Sequence, residues 1–240
     1  MHQPPRAAHR GRCDGYDLVA IASAPFAEEM RERTTTPIIV LEQATDPRVF
    51  YPDSDPKLGH DLVYVANSRN VLRPIVRDLL PPCRPRPRHL RRQLGGLIDT
   101  SLVVADHVPN DELRQVYSSA AIVLNDHWDD MRERGFISSR IYDALACRAV
   151  VSDEVAGLDQ FGDAVVTYRD GSELRAVLDQ LLADPEGLRA RSQAAAAIVR
   201  DAHTFADRID VLEREIQRTA TEIRWICGAV ERSKEGVTNP

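Results

Sequence analysis

Short apolar runs alternate with amphipathic stretches along most of the chain, and this alternation predicts βα units around a parallel sheet. Buried strands are predicted at YDLVAIAS (16–23), PIIVLEQ (37–43), DLVYVANS (61–68), SLVVADHV (101–108), AIVLNDH (121–127), AVVSDE (149–154) and AVVTYRD (164–170). Helices are predicted at 25–33, 70–80, 109–120, 172–184, 185–203 and 205–227, and 135–147 is predicted as a loop leading into a helix. Pro25 suits a first helical turn, and Ser172 is a candidate cap. The predicted fold class is therefore α/β, with a doubly wound parallel sheet.

Two segments depart from this alternation. Residues 44–60 are rich in Pro and Asp, which predicts a linker and a domain boundary. Residues 81–96, PPCRPRPRHLRRQLGG, are rich in Pro and Arg and lack apolar alternation. A doubly wound sheet needs a strand there, but the composition of 83–94 indicates either a surface loop or altered coding sequence.

Composition excludes several classes of protein. The 240 residues are 43% hydrophobic and 28% charged, as in ordinary globular proteins, and the net charge of −6 disfavours nucleic-acid binding. No apolar run approaches the ~18 residues of a membrane span, so no transmembrane segment is predicted. The Pro-rich, basic residues 1–15 lack the apolar core of a signal peptide and are predicted to be a disordered leader. Four widely spaced cysteines (Cys13, Cys83, Cys147 and Cys227) argue against a zinc site or disulfide scaffold and predict a cytoplasmic location.

Candidate chemistry lies in the loops that follow the strands, because ligands of open parallel sheets bind beyond the strands' carboxyl ends. Three loops qualify, at 67–69, 125–127 and 152–154. After the second of them, 135–140 (GFISSR) is a glycine-containing turn into a helix, where free N–H groups favour an anion. Arg140 in the first turn would then need an anionic partner, and Asp143 could accept bonds from two vicinal hydroxyls. The alternative is a capped helix with an ion pair between Arg140 and Asp143.

Helical periodicity divides this segment into two faces. One face should pack on the sheet: Ile137, Ile141, Ala144 and Leu145. Ser138, Ser139, Tyr142 and Asp143 should point elsewhere. Other chemistries are weaker, because Asp126, His127, Asp129 and Asp130 give no closed set of metal ligands, and His107, His127 and His203 form no spaced triad with a nucleophile. Cys147 is expected to pack as a small hydrophobe.

Several segments, in order, resemble the nucleotide-sugar-binding half of GT-B glycosyltransferases, and most closely the CgeB-like group named for a spore-maturation protein. They are ATDPRVFYPD (44–53), DLVYVANSRNVLRPIV (61–76), 106–147 with its central GFISSRIYDALAC, and 161–191. The resemblance implies binding of a nucleoside-diphosphate sugar without a metal or other cofactor. It places the donor against Asn67, Ser68, Arg69, Asn125, Gly135, Phe136, Ile137, Ser138, Arg140 and Asp143, the last where relatives carry a ribose-binding Glu.

The same resemblance implies a division of the chain and an activity. Residues 16–50 would be a remnant of the N-terminal Rossmann-like domain, 51–204 the nucleotide-sugar-binding domain, and 205–240 a C-terminal helix and tail. The implied activity is transfer of a sugar to an unknown acceptor, and no catalytic residue is assigned. Ala66 and Arg148 stand where relatives often carry Gly. Two alternatives remain: a truncated, non-catalytic nucleotide-sugar-binding or interaction module, and a doubly wound domain of unrelated function, for example epimerase-like.

Overall fold

A computed structural model describes residues 13–67, 73, 75–76, 88–92, 103–105 and 108–235. The chain divides into two compact units. One unit is Gln43–Phe205, and the other combines Met1–Glu42 with Ala206–Pro240. The predicted helix at 70–80 falls almost wholly outside the described residues, as do residues 1–12 of the predicted leader.

The strands of the structure are β1 (Val19–Ile21), β2 (Ile38–Val40), β3 (His60–Asn67), β4 (Arg88–Arg92), β5 (Val103–Ala105), β6 (Ala120–Asn125), β7 (Val150–Asp153) and β8 (Val165–Tyr168). The helices are α1 (Ala24–Arg31), α2 (Leu113–Ser119), α3 (Asp129–Glu133), α4 (Ser139–Leu145), α5 (Gly171–Ala183), α6 (Pro185–Ala202) and α7 (Phe205–Glu235). In the described residues, 3₁₀ segments lie at Pro56–Leu58 and Leu158–Ala164.

The unit Gln43–Phe205 is built on a parallel six-stranded sheet with the order β5-β4-β3-β6-β7-β8. Chain order therefore reverses between β3 and β6, where β3 is flanked on one side by β4 and on the other by β6. This is the arrangement of doubly wound dinucleotide-binding folds, which bind ligands at the reversal point. The predicted Rossmann-like α/β class is confirmed.

Strand β4 corrects the expectation of a loop at 83–94. Arg88–Arg92 pairs in parallel with β3, with Val63 opposite Arg88 and Asn67 opposite Arg92, and it also pairs with β5. Neither the strand propensity nor the apolar alternation of these residues predicted a strand. Backbone hydrogen bonding between two neighbouring strands does not depend on side-chain type, so the position in the sheet outweighs the composition.

Apolar side chains fill both faces of the sheet, as the crossover helices of a parallel sheet require. On β3 and β6 they alternate, so that Val63 and Val123 join one core cluster while Leu62, Ile122 and Leu124 join the other. The first cluster includes residues of α2, α4 and α6, and the second includes Leu174, Leu178 and Leu188 of α5 and α6.

Aspartates cap the two helices that follow β8. Asp170 accepts the N–H groups of Ser172 and Glu173 at 2.8 and 2.9 Å, so the cap of α5 is Asp170 and the expectation for Ser172 was wrong. Asp184 caps α6 by accepting the N–H of Gly187 at 2.9 Å. Both caps satisfy N–H groups that the helix leaves without partners.

The second unit contains a smaller βαβ element. β1 and β2 pair in parallel, and α1 connects them. Ser23 caps α1 by accepting the N–H of Phe26 at 3.2 Å, and Pro25 lies in the first turn as predicted. In the same unit, Arg208 of α7 donates to the carbonyl of Glu42 at 3.1 Å, which ties the helix to the chain that follows β2. None of the helices in the described part of the chain has the length and apolar character that crossing a bilayer requires.

Candidate functional site

Polar side chains gather at the carboxyl ends of β6 and β7, next to the point where chain order reverses. Asn125, Asp126 and His127 end or follow β6, and all three are buried. Ser152 and Asp153 end β7 and are also buried. Because buried polar groups must find hydrogen-bond partners, this concentration requires an internal network.

Asp126 forms one part of this network. Its carboxylate accepts the hydroxyl of Tyr64 at 2.5 Å and the Nε–H of Arg73 at 2.9 Å. The Arg73 guanidinium also stacks over the ring of Trp128, with 3.9 Å between Cζ and the ring centroid. Burial, followed by the Asp126 charge, raises the pKa of the Tyr64 hydroxyl. The buried ion pair thus fixes Arg73 against the end of β6.

His127 forms a second part. Its Nδ1 lies 2.6 Å from Asp153 Oδ1, and its Nε2 accepts the backbone N–H of Ser138 at 3.0 Å. The backbone N–H of His127 also points at the Asp153 carboxylate, at 3.0 and 3.1 Å from its two oxygens. The histidine thereby connects the ends of two strands with the residue before α4. Sequence reasoning placed His127 in the candidate loop 125–127 after a buried strand, but weighed its side chain only as a metal ligand or triad member.

Arg140 turns toward the sheet. Its Nη1 donates to Asn125 Oδ1 at 3.0 Å. Asn125 is also bonded to β7, because its Nδ2 donates to Ser152 Oγ at 3.0 Å. Two candidates from the sequence, Asn125 and Arg140, are therefore in direct contact.

Asp143 lies in the next turn of α4. Its Oδ1 accepts the hydroxyl of Thr45 at 2.6 Å, a contact between residues 98 positions apart. Burial raises the pKa of Asp143 to about 6, although the Thr45 bond and the Arg140 charge oppose the shift. One carboxylate oxygen is thus engaged by the protein, while among the described residues Oδ2 accepts no hydrogen bond.

The glycine-containing turn before α4 has an explanation within the backbone. Gly135 has φ +68° and follows α3, a short helix that the sequence pattern did not predict. The N–H of Phe136 bonds the carbonyl of Met131 at 2.8 Å, and that of Gly135 bonds the carbonyl of Arg132 at 3.3 Å. These two bonds form a Schellman motif, which favours glycine at its left-handed position. Gly135 ends a helix, and this accounts for it without a bound anion.

The apolar face predicted for α4 is confirmed, since Ile137, Ile141, Ala144 and Leu145 are all in the core. Tyr142 was expected to point elsewhere, and this was wrong. Its ring is completely buried and meets Phe161 edge-on, with 5.1 Å between centroids. Because a phenol ring has a large apolar surface, Tyr142 is buried with the aliphatic residues although the spacing of the aliphatic residues did not include it.

The remaining sequence candidates either lie outside the described residues or are not part of the buried network. Asn67 is the last residue of β3, and Ser68 and Arg69 lie outside the described residues. Asp129 is exposed and pairs with Arg132 on α3 at 2.9 Å, away from the buried Asp126 and His127 that sequence reasoning grouped with it. Within the described ranges, no group of three or more His, Cys, Asp or Glu is placed to hold a metal ion.

A cavity of about 490 Å³ lies at the opposite, amino-terminal edge of the sheet, and its lining includes His60, Asp61 and Arg148. Arg148 donates Nε–H to the carbonyl of Ala121 at 3.4 Å, and burial, with repulsion from Arg189, lowers its pKa. Helices α2 and α4 end at this edge, where their carbonyls favour a cation. Arg148 is a cation at this edge, whereas the buried polar side chains and the sequence candidates Asn125, Arg140 and Asp143 lie at or beside the carboxyl-end network, which is therefore the candidate site.

Comparison with known proteins agrees with this assignment of the fold. Residues 73–214 match the model of a family described as glycosyl transferase-like. No curated protein matches the chain significantly. Among solved structures, sucrose-phosphate synthase from Thermosynechococcus elongatus is similar with a TM-score of 0.66 and 14% identity, over 87% of this chain and 60% of that one.

Two further solved structures are similar. Anabaena Alr3699/HepE in complex with UDP has a TM-score of 0.63 and 13% identity, over 84% of this chain and 64% of that one. The GtfA/B complex has a TM-score of 0.54 and 12% identity, over 85% of this chain and 45% of that one. The chain therefore spans less than two thirds of each of these three structures. With a family match over more than half of its residues, the chain belongs to the glycosyl transferase-like family and has the Rossmann-like α/β fold of GT-B glycosyltransferases.

Proposed function

We propose that this chain is the donor-binding half of a GT-B glycosyltransferase of the CgeB-like type, and that it binds a nucleoside-diphosphate sugar at the carboxyl edge of the six-stranded sheet. The observation that carries the proposal is the polar network beside the β3–β6 reversal, which lies within a family match over residues 73–214. UDP is present in the similar HepE structure, which makes uridine diphosphate the first ligand to test.

Arg140 is the proposed contact for the diphosphate. Its guanidinium donates to the neutral oxygen of Asn125, and no carboxylate of the described residues lies within ion-pair distance of it. A charge-assisted bond from such a group contributes roughly 1.5–3 kcal/mol. Positive charge at that place also stabilises a diphosphate as it leaves, which is the contribution to catalysis proposed for Arg140. No metal or other cofactor is proposed.

Asp143 is the proposed contact for ribose. The Thr45 hydroxyl holds Oδ1, which leaves Oδ2 for one sugar hydroxyl. This predicts a weaker ribose contact than a longer glutamate with both oxygens available would make. Below about pH 6 the carboxyl becomes protonated and can donate as well as accept.

The remaining residues proposed from the sequence would contact the donor through backbone groups or hydroxyls, or would shape the loop around it. Asn67, Ser68 and Arg69 would approach the diphosphate from the end of β3. The backbone N–H of Ser138 is engaged by His127, so Ser138 would contribute its hydroxyl. Gly135, Phe136 and Ile137 would shape the loop, since Gly135 and Ile137 are buried and Phe136 is half-buried.

Calorimetric titration with UDP, GDP and uridine tests this function. The wild-type chain should bind one diphosphate at least ~10-fold more tightly than the bare nucleoside. Arg140→Gln retains an amide donor for Asn125 but removes the charge, and it should weaken diphosphate binding by about 10- to 100-fold while nucleoside binding is unchanged. Arg132→Ala on exposed α3 is the matched control and should change neither. Absence of binding at millimolar ligand would refute the proposal.

Turnover of the donor is a separate question, because the chain spans only part of the similar structures. Hydrolysis of a bound UDP-sugar, followed by release of UDP, would identify an active transferase half. A donor that is bound but never consumed would instead favour a nucleotide-sugar-binding module without catalysis.

A further inference from the structure

The carboxylate of Asp153 is the centre of a buried network whose branches end on α4. Asp153 accepts from the backbone N–H of His127, from its ring at 2.6 Å, and from Ser152 Oγ at 3.2 Å. The His127 side chain is 0% exposed, and Asp153 is buried as well. Removing a carboxylate from water is unfavourable, so burying an apolar pair of similar size would cost less free energy.

The first branch fixes one tautomer of His127. The N–H of Ser138 can only donate, so the Nε2 that it meets at 3.0 Å must carry a lone pair. The proton of the neutral ring is then on Nδ1, where the Asp153 carboxylate accepts it. His127 can therefore hold the 135–138 loop only while Asp153 holds this tautomer.

The second branch orients Arg140. Ser152 Oγ–H points at Asp153, and its lone pair accepts from Asn125 Nδ2 at 3.0 Å. With its amide group oriented in this way, Asn125 presents Oδ1 to Arg140 at 3.0 Å. Rotation of the Asn125 amide would place N–H groups against a guanidinium that has only N–H groups to donate. Because the Asp153 carboxylate can only accept, it determines which group donates and which accepts in each hydrogen bond from Ser152 through Asn125 to Arg140.

We propose that Asp153 and His127 are positioning residues for the diphosphate site, which hold the 135–138 loop and the Arg140 guanidinium in the geometry that binds the donor. This role rests on the proposed function. Neither residue touches the nucleotide; they act through Ser138 and through Ser152, Asn125 and Arg140. Buried partners of this type keep a ligand-binding group within the narrow range of orientations that binding needs.

Three variants and two measurements test the role. Asp153→Asn keeps the shape but no longer enforces the Nδ1–H tautomer, and it should weaken UDP binding at least ~10-fold without changing uridine binding. His127→Gln keeps an acceptor for the Ser138 N–H, whereas His127→Asn keeps only a donor toward Asp153. His127→Gln should therefore bind UDP more tightly than His127→Asn. Exposed Asp163→Asn is the control and should bind UDP as the wild type does.

Nitrogen-15 NMR of the histidine ring supplies a readout that does not depend on the ligand. The wild type should show a neutral Nδ1–H ring for His127, and Asp153→Asn should shift the population toward Nε2–H. An Nε2–H ring in the wild type overturns the positioning role even if UDP binds. Equal UDP affinities of the wild type and Asp153→Asn, with both folded by circular dichroism, also overturn it. A wild type that shows the Nδ1–H ring but binds no nucleotide refutes the proposed function, and the positioning role with it.

Discussion

Replacing Asp143 with Asn removes a partly buried carboxylate while keeping an oxygen that can accept from Thr45, which now lies 2.6 Å from Oδ1. Burial raises the pKa of Asp143 from 3.8 to about 6 in the folded chain. The folded state therefore binds the proton more tightly than the unfolded state. A carboxyl with a raised pKa stabilises the fold below the unfolded pKa, and this contribution is lost as the pH rises through the folded pKa.

The magnitude follows from the size of the shift. A difference of about two pKa units between 3.8 and about 6 corresponds to about 3 kcal/mol at 1.36 kcal/mol per unit. Relative to Asp143→Asn, the wild type should lose this amount between about pH 4 and pH 6, and the difference should be constant above that range. Between pH 4 and pH 7 the stability difference should therefore shift by this amount in favour of the Asn variant.

Urea unfolding of both proteins at pH 4, 5, 6 and 7 measures the difference directly. The comparison cancels every other titrating group, because only position 143 differs. Asp163→Asn, at an exposed site, serves as the control and should change much less over the same range. A difference between wild type and Asp143→Asn that is independent of pH would refute the assignment of a raised pKa to Asp143.

Two further predictions concern the fold. Asp126→Ala leaves the guanidinium of Arg73, which is 4% exposed, without its buried carboxylate. Urea titrations should show that the free energy of unfolding falls by about 3–5 kcal/mol. A loss below about 1 kcal/mol would show that the ion pair does not stabilise the fold. Gly162→Ala should lower the free energy of unfolding by about 1–2 kcal/mol, because φ is +52° there. An added Cβ meets nothing within 4 Å at either Gly162 or Gly15, so the matched variant Gly15→Ala should be nearly neutral, and equal losses would exclude backbone strain as the cause.

The sheet could be predicted from the sequence wherever its strands are apolar on both faces. Strand β6, with the residues AAIVLN, is a nearly continuous apolar run, since helices cover both sides of a parallel sheet. Strand β4 could not be predicted, because its residues, RHLRR, carry no such run. Its place is determined by pairing with β3 and β5, which is information from distant parts of the chain.

The candidate site was predictable in location but not in its contacts. The rule that ligands bind beyond the carboxyl ends of parallel strands identified Asn125, Arg140 and the loop between them. Asp143 bonds Thr45, which no local pattern connects with α4. Gly135 shows the reverse case, because a glycine that suggested a phosphate-binding turn ends α3 through backbone bonds alone.

The chain enters and leaves the unit Gln43–Phe205 at neighbouring positions. The N–H of Thr45 bonds the carbonyl of His203 at 3.1 Å, and the carbonyl of Thr45 accepts the N–H of Phe205, also at 3.1 Å. A segment whose two ends lie one hydrogen bond apart needs only a short linker to close it into a ring. Circular permutation is therefore open to this unit, with new termini placed in exposed loops far from the β3–β6 reversal. Evolution can use the same property, since such a unit can be inserted into another chain with little disturbance at the point of insertion.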